Sequence, residues 1–154
     1  MKWPGLVLVL LVLGVGGYLL IPKNQPVEVP SVVIPTLLPE SSFAPYTARF
    51  EIVTSGTKRI FTDARYHNQS TDVYITATDP SQIMVNKPDV TWQQFFDTLP
   101  APMKVGASCL HTGTGQEFCT NETQTLRFIL NGQDQPDVLT IPIAPNDNLL
   151  ISFD

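Results

Sequence analysis

The chain has 154 residues, with 14 acidic against 9 basic for a formal charge of −5, and only 15% of its residues are charged. This balance disfavours nucleic acid and anionic membrane surfaces as partners of the soluble part, because no basic cluster reverses it. The first forty residues do not read as a folded domain, so one domain of roughly 110 residues is affordable and a second is not.

Met1 and Lys2 form a short basic start, and Pro4 to Ile21 (PGLVLVLLVLGVGGYLLI) is eighteen residues without a charge. As a helix it would be about 27 Å long, enough to cross a hydrocarbon core. Trp3 and Tyr18 stand near its ends, where amphipathic rings favour the headgroups. The competing expectation is a cleaved signal peptide, for which Gly14-Val15-Gly16 is a poor small-x-small site. We expect an uncleaved anchor, residues 1–21, touching membrane lipid through residues 4–21. Lys2 and the α-amine outweigh Lys23, which keeps the amino terminus inside and places the rest of the chain outside the cytoplasm. Gly14, Gly16 and Gly17 are small enough to let another membrane helix pack closely.

Between Pro22 and Pro45 six of twenty-four residues are proline. Proline fixes φ and pushes its predecessor to extended conformations, so residues 22–45 are expected to be a semi-rigid spacer. Val32, Val33, Ile34, Leu37 and Leu38 are more apolar than a pure linker requires, which leaves packing along the domain as the alternative.

The domain is expected over residues 46–154. ARFEIVT (Ala48 to Thr54) and KRIFTDA (Lys58 to Ala64) flank the turn signal Ser55-Gly56-Thr57 and predict a hairpin. Asp72 to Ala77 and Gln82 to Val85 are further strands. VTWQQFFDTLP (Val90 to Pro100) then changes period: Trp92, Phe95, Phe96 and Leu99 fall at i, i+3, i+4 and i+7, one face of a short helix. Thr91 and Gln94 have capping-box spacing, and Pro100 and Pro102 stop the helix. Met103 to Ala107, Gln124 to Leu130, Val138 to Ile143 and Leu149 to Phe153 predict the remaining strands, and both cysteines fall in a loop between the first two of these. Three large aromatics on one short helical face need a flat apolar cover. The order of elements therefore predicts an α+β fold of the β-grasp (ubiquitin-like) type, a mixed sheet carrying one short amphipathic helix. A β-sandwich with one decorating helix is the alternative. An edge strand such as Ala48 to Thr54 would be open to strand addition by a partner.

The succession TWQQFFDTL, CLHTGTGQEFC, LRFILNG and NDNLLISFD, within Val85 to Asp154, resembles a family of uncharacterised single-pass bacterial envelope proteins common in reduced-genome lineages. The resemblance implies a β-grasp-like outer domain and an envelope location, and no activity. Some relatives carry paired histidines suggestive of metal; here Met84 stands where one of them would be, and only His67 and His111 are present.

Cys109 and Cys119 are the only cysteines, and in an oxidising space they are expected to form a disulfide pinning the Gly-rich segment His111 to Gly115. Two sharper readings compete. Cys109, His111, Cys119 and His67 offer soft thiolates and imidazoles suited to copper or zinc, without zinc-ribbon spacing. Cys109 with His67 or His111 as base would make a nucleophilic pair, with nothing in the sequence to orient it. There is no Gly-x-Ser-x-Gly elbow and no phosphate-cradling glycine loop. Asn68-Gln69-Ser70 and Asn121-Glu122-Thr123 match the glycosylation pattern, a chance match in the bacterial setting that the resemblance implies, and Ser152-Phe153-Asp154 lacks the Gly-Gly tail of a conjugated modifier. Trp92 could be an exposed anchor, but its register with Phe95, Phe96 and Leu99 favours the core. The expectation is a non-enzymatic binding or envelope-structure module without a cofactor, with an unknown envelope protein as partner and no nucleic acid. The alternatives are a copper- or zinc-handling protein and a subunit of a larger membrane complex.

Overall fold

The computed structural model describes residues 43–154, so the expected anchor and the spacer up to Ser42 lie outside the described residues. Ser55 and Gly56 both take positive φ (49° and 74°), the backbone a two-residue hairpin turn requires. They join β1 (Tyr46–Thr54) to β2 (Thr57–Arg59). β3 (Val73–Ile75) and β4 (Gln82–Val85) follow, then the helix α1 (Trp92–Asp97). A small sheet is built from β5 (Lys104–Val105), β6 (Cys109–His111) and β7 (Glu117–Cys119). β8 (Leu126–Leu130), β9 (Gln133–Asp134) and β10 (Asn148–Phe153) end the chain. The result is a mixed α+β domain, mostly sheet, with one short helix. Among the described residues no helix is long and apolar enough to cross a membrane.

The large sheet runs β3-β4-β1-β10-β8-β9, with β2 also on β1. Its centre is the one parallel pairing, β1 with β10, in which Phe50 lies beside Leu149 and Ile52 beside Ile151. Alternation then puts Ala48, Phe50, Ile52, Leu149, Ile151, Phe153, Leu126 and Phe128 on one buried face. α1 closes that face: Trp92, Phe95 and Phe96 are almost fully buried and Leu99 nearly so. Phe50 touches three other rings, with centroids 5.1 Å from Phe61, 5.1 Å from Phe95 and 6.1 Å from Phe96. Tilted and edge-on contacts of this kind add to the gain from burial.

A six-residue helix has no stability of its own in water. Here it is held by those aromatics and by its start. The Gln94 N–H donates to Thr91 Oγ1 (3.2 Å), and the Thr91 N–H donates to Gln94 Oε1 (2.9 Å). Thr91→Ala removes one arm of this reciprocal cap. It is expected to lower unfolding free energy by about 1 kcal/mol, read as a shift of the urea midpoint with the slope unchanged.

Several predicted strands are shorter or absent. β2 ends at Arg59 rather than Ala64, because β1 has no further edge to offer: Tyr46 to Arg49 pair with β4, and the Phe50 N–H donates to Ser81 O (2.9 Å). Asp72 to Ala77 contracts to β3, and Met103 to Ala107 to the two residues of β5. The strand expected over Val138 to Ile143 is a 3-10 turn, Val138–Thr140, closed by Thr140 N–H to Asp137 O and Ile141 N–H to Val138 O. Pro136 and Pro142 bracket it, and neither can donate to a ladder. β1 is the middle of the sheet, so the expected strand addition at Ala48 to Thr54 has no free edge. The cysteines sit on two paired strands rather than in a loop.

The Asp79 carboxyl and the Tyr46 hydroxyl both feel their surroundings. The Asp79 carboxyl is held below its ordinary range by the Ser81 N–H it accepts (2.9 Å) and by the Arg49 guanidinium (2.8 Å). The Tyr46 hydroxyl is pushed up, first by burial and then by Asp147 and Asp89; it donates to Ile143 O at 2.6 Å.

Candidate functional site

β6 and β7 pair antiparallel with Cys109 opposite Cys119 and Leu110 opposite Phe118. Thr120 N–H donates to Ser108 O, and Thr112 N–H donates to Gln116 O, both at 2.8 Å. The cysteines therefore occupy the intervening non-hydrogen-bonded position, where opposed side chains come closest. Their Cα atoms are 4.1 Å apart and the sulfurs are joined in a disulfide.

The hairpin tip is ordered by Thr112, which is buried. Its Oγ1 accepts from Gln116 N–H (3.1 Å) and is hydrogen-bonded to Thr114 Oγ1 (2.9 Å). Gly115 takes φ of 83° to complete the turn. Gly113 has a different constraint, which is space: a methyl group there would overlap the Tyr66 hydroxyl oxygen and sit 3.0 Å from Tyr66 Cζ. The tip is thus seated on Tyr66, which follows β2 through the 3-10 turn Ala64–Tyr66. Gly113→Ala is expected to push the tip off Tyr66 and cost about 1–3 kcal/mol, as overpacking does. Adding Tyr66→Phe, which deletes the overlapped oxygen, should restore most of the loss. Urea titration of the two single variants and the double variant checks both statements.

Between this tip and β2 lies a cleft of about 230 Å³, with Ile52, Phe61, Met103 and Leu110 at its base and Tyr66 and Gly113 in its walls. Ile60 stands at its rim, 69% exposed, the one large apolar side chain so exposed among the described residues. The rim is basic. Arg65 lies over the Tyr66 ring (4.7 Å to the centroid), donates to Tyr66 Oη (2.7 Å) and stands 3.6 Å from Asp63. Lys58 pairs with Glu51 at 2.6 Å. Arg59 lies 5.1 Å from the Phe118 centroid, with Nε donating to Thr54 Oγ1 (2.6 Å) and Nη1 to Gln116 Oε1 (2.9 Å). Among the described residues Arg59 has no carboxylate partner, and its Nη2 has no acceptor.

The residues singled out by sequence are distributed differently. His67 Nε2 bonds Phe61 O at 2.8 Å, which ties it to the chain beneath the cleft. His111 stands 3.8 Å from Glu117 across the hairpin. The donor atoms of Cys109, Glu117 and Cys119 lie within 4.8 Å of one another, a group that contains neither histidine. Both sulfurs in it are consumed by the disulfide, so neither is available as a thiolate ligand or nucleophile. Trp92, Phe95, Phe96 and Leu99 are core, and the Trp92 Nε1–H is buried without an acceptor.

The cleft itself was not legible in composition or motif. One signal was present: Ile60 and Phe61 are adjacent apolar residues, and in an extended chain only one of them can face the core. Compared with known protein families, curated proteins and solved structures, the chain matches none.

Proposed function

We propose that this chain is a membrane-anchored, extracytoplasmic binding module without catalytic activity, and that the cleft beside β2 is its binding site. The observation that carries the reading is the preformed cleft whose wall is a disulfide-pinned hairpin and whose rim bears the exposed Ile60. Pockets with an apolar base and a few polar groups at the mouth are the usual form of a ligand site. The apolar segment at residues 4–21 supports an anchor with the domain outside the cytoplasm, as does a cystine, which persists in oxidising compartments. The strand order supports a β-grasp assignment: a first and last strand parallel at the centre, hairpins outside them, and a helix across one face. The resemblance to the envelope-protein family agrees with this placement.

The test is a photo-crosslinking residue in place of Ile60 in the full chain, in the cells that make it, with Glu122 as the exposed control position. A discrete adduct from position 60 and none from 122 is expected, in the membrane fraction. A hydrolytic or redox turnover abolished by His111→Ala, with no adduct at 60, would overturn the reading.

Copper or zinc handling is the second reading; of the ligands expected for it (Cys109, His111, Cys119 and His67) only the two cysteines come together, with Glu117 beside them. It requires the reduced protein, since metal binds the thiolate. A native mass of the reduced chain showing one retained zinc would support it, and a bare mass after metal supplementation would remove it.

A further inference from the structure

The cleft borders an open strand edge. Even-numbered residues of β1 turn their backbone groups toward β2 and β4, as the Phe50 N–H to Ser81 O bond shows, while Arg49 and Ser55 turn theirs to the opposite side, toward Asp147 and Phe153. Ile52 lies opposite Arg59 and Thr54 opposite Thr57. Alternation therefore gives Thr57 and Arg59 to the ladder with β1 and points the N–H and C=O groups of Lys58 outward, along the cleft, and Ile60, just past the strand, makes no backbone hydrogen bond among the described residues. β2 has no second strand partner. Exposed edges are usually blunted by proline, bulges or short length; this one is short, but it faces a cleft with an apolar base.

We infer that the cleft binds an extended peptide, added as a strand to the outer edge of β2, with a peptide carboxylate held by Arg59. This rests on the binding reading above and names its partner class. Backbone groups of Lys58 and Ile60 would supply main-chain hydrogen bonds, and one apolar side chain of the peptide would enter toward Leu110 and Met103. Charge selects the carboxylate. Lys58 and Arg65 are neutralised by Glu51 and Asp63, whereas the uncompensated Arg59, its Cζ 5.1 Å from the Phe118 centroid, keeps a free fork end. A guanidinium already stacked and held on two sides is preorganised for a carboxylate. The preference is local, in a chain whose net charge of −5 would otherwise repel an acidic ligand.

The probe is a fluorescein-labelled pentapeptide of alternating valine and threonine with a free carboxyl end, titrated by anisotropy against the full chain in nanodiscs. Three analogues accompany it: the amidated peptide, the peptide N-methylated at alternate amides, and decanoate as competitor. Saturable binding of the free acid is expected, weakened about tenfold by amidation and about tenfold by N-methylation, the loss typical of one charge-assisted or one buried hydrogen bond. Arg59→Gln should bring the free acid to the level of the amide and leave the amide unchanged. Arg59→Lys, which keeps the charge, should retain part of the preference and guards against a folding defect in the glutamine variant. Equal binding of acid and amide overturns the inference, and so does full binding of the N-methylated peptide. Displacement by decanoate with no N-methylation effect assigns the cleft to an amphiphile and also overturns it. Failure of every peptide while the position-60 adduct persists overturns this inference and leaves the binding module standing; loss of both overturns both.

Discussion

Phe50→Ala is expected to lower the unfolding free energy by about 3–5 kcal/mol, the cost of removing a fully enclosed aromatic ring and leaving its cavity. Domains of this size have about 5–15 kcal/mol in all, so the variant should be largely unfolded in moderate urea and partly so at 37 °C. The position is exceptional for what converges on it. Phe50 is 2% exposed, lies in the central strand, and meets Phe61 from beyond β2 together with Phe95 and Phe96 from α1. None of these can move into the vacancy freely, because Phe61 is fixed by the segment after β2 and Phe95 and Phe96 by α1. Phe50→Leu should recover more than half of the loss. Equilibrium urea unfolding followed by tryptophan fluorescence reads both, since Trp92 packs on Phe95 and Phe96 at 6.2 and 6.4 Å. A midpoint within error of the parent chain would contradict the packing described.

The second large effect is expected from the disulfide. Replacing Cys109 and Cys119 by serine releases a closed loop of about 11 residues, which on chain-entropy grounds costs about 2–3 kcal/mol. The reduced parent chain should unfold at the same urea concentration as the double variant, because both lack the same covalent constraint. The location of the loss is more informative than its size. Only three residues of β6 and three of β7 pair in the hairpin, and a two-stranded ribbon of that length is marginal in water. Amide exchange of Leu110, Thr112 and Phe118 should therefore accelerate in the serine variant far more than that of Ile52 or Ile151. Uniform acceleration across both sheets would show instead that the bond stabilises the domain as a whole.

The helix was readable because period, cap and stop all agree there: four apolar residues at helical spacing, Thr91 and Gln94 reciprocally bonded, Pro100 beyond. The hairpin after Thr54 was readable for the same reason, turn chemistry with positive φ at both residues (49° and 74°), whereas β9 was not expected, although Asn131-Gly132 has the same kind of backbone (52° and 83°). What local pattern does not carry is competition for an edge. Lys58 to Ala64 was expected to be a strand throughout, yet β4, about twenty residues later, takes the other half of the same side of β1. Val138 to Ile143 is β-branched and apolar, but Val138 and Leu139 are both buried, which a 3-10 turn achieves for neighbours and a half-exposed strand does not. The cleft was invisible because its walls come from β1, the segment after β2 and the hairpin tip, joined by the Tyr66 and Gly113 contact that no spacing announces.

The parallel seam between β1 and β10 has a consequence in time. Phe50 and Ile52 cannot gain their neighbours Leu149 and Ile151 until almost the whole chain is available, so the middle of the sheet is the last part that a growing or translocating polypeptide can complete. Such a topology delays collapse until loop closure over about a hundred residues has been achieved, and slow folding is the rule for sheets dominated by distant pairings. Until then β1, which can already pair with β2 and β4 on one side, presents the edge that β10 will take and an incompletely covered row of Ala48, Phe50 and Ile52. In a chain made or exported from its amino end, that one edge stays open for as long as the remainder takes to follow.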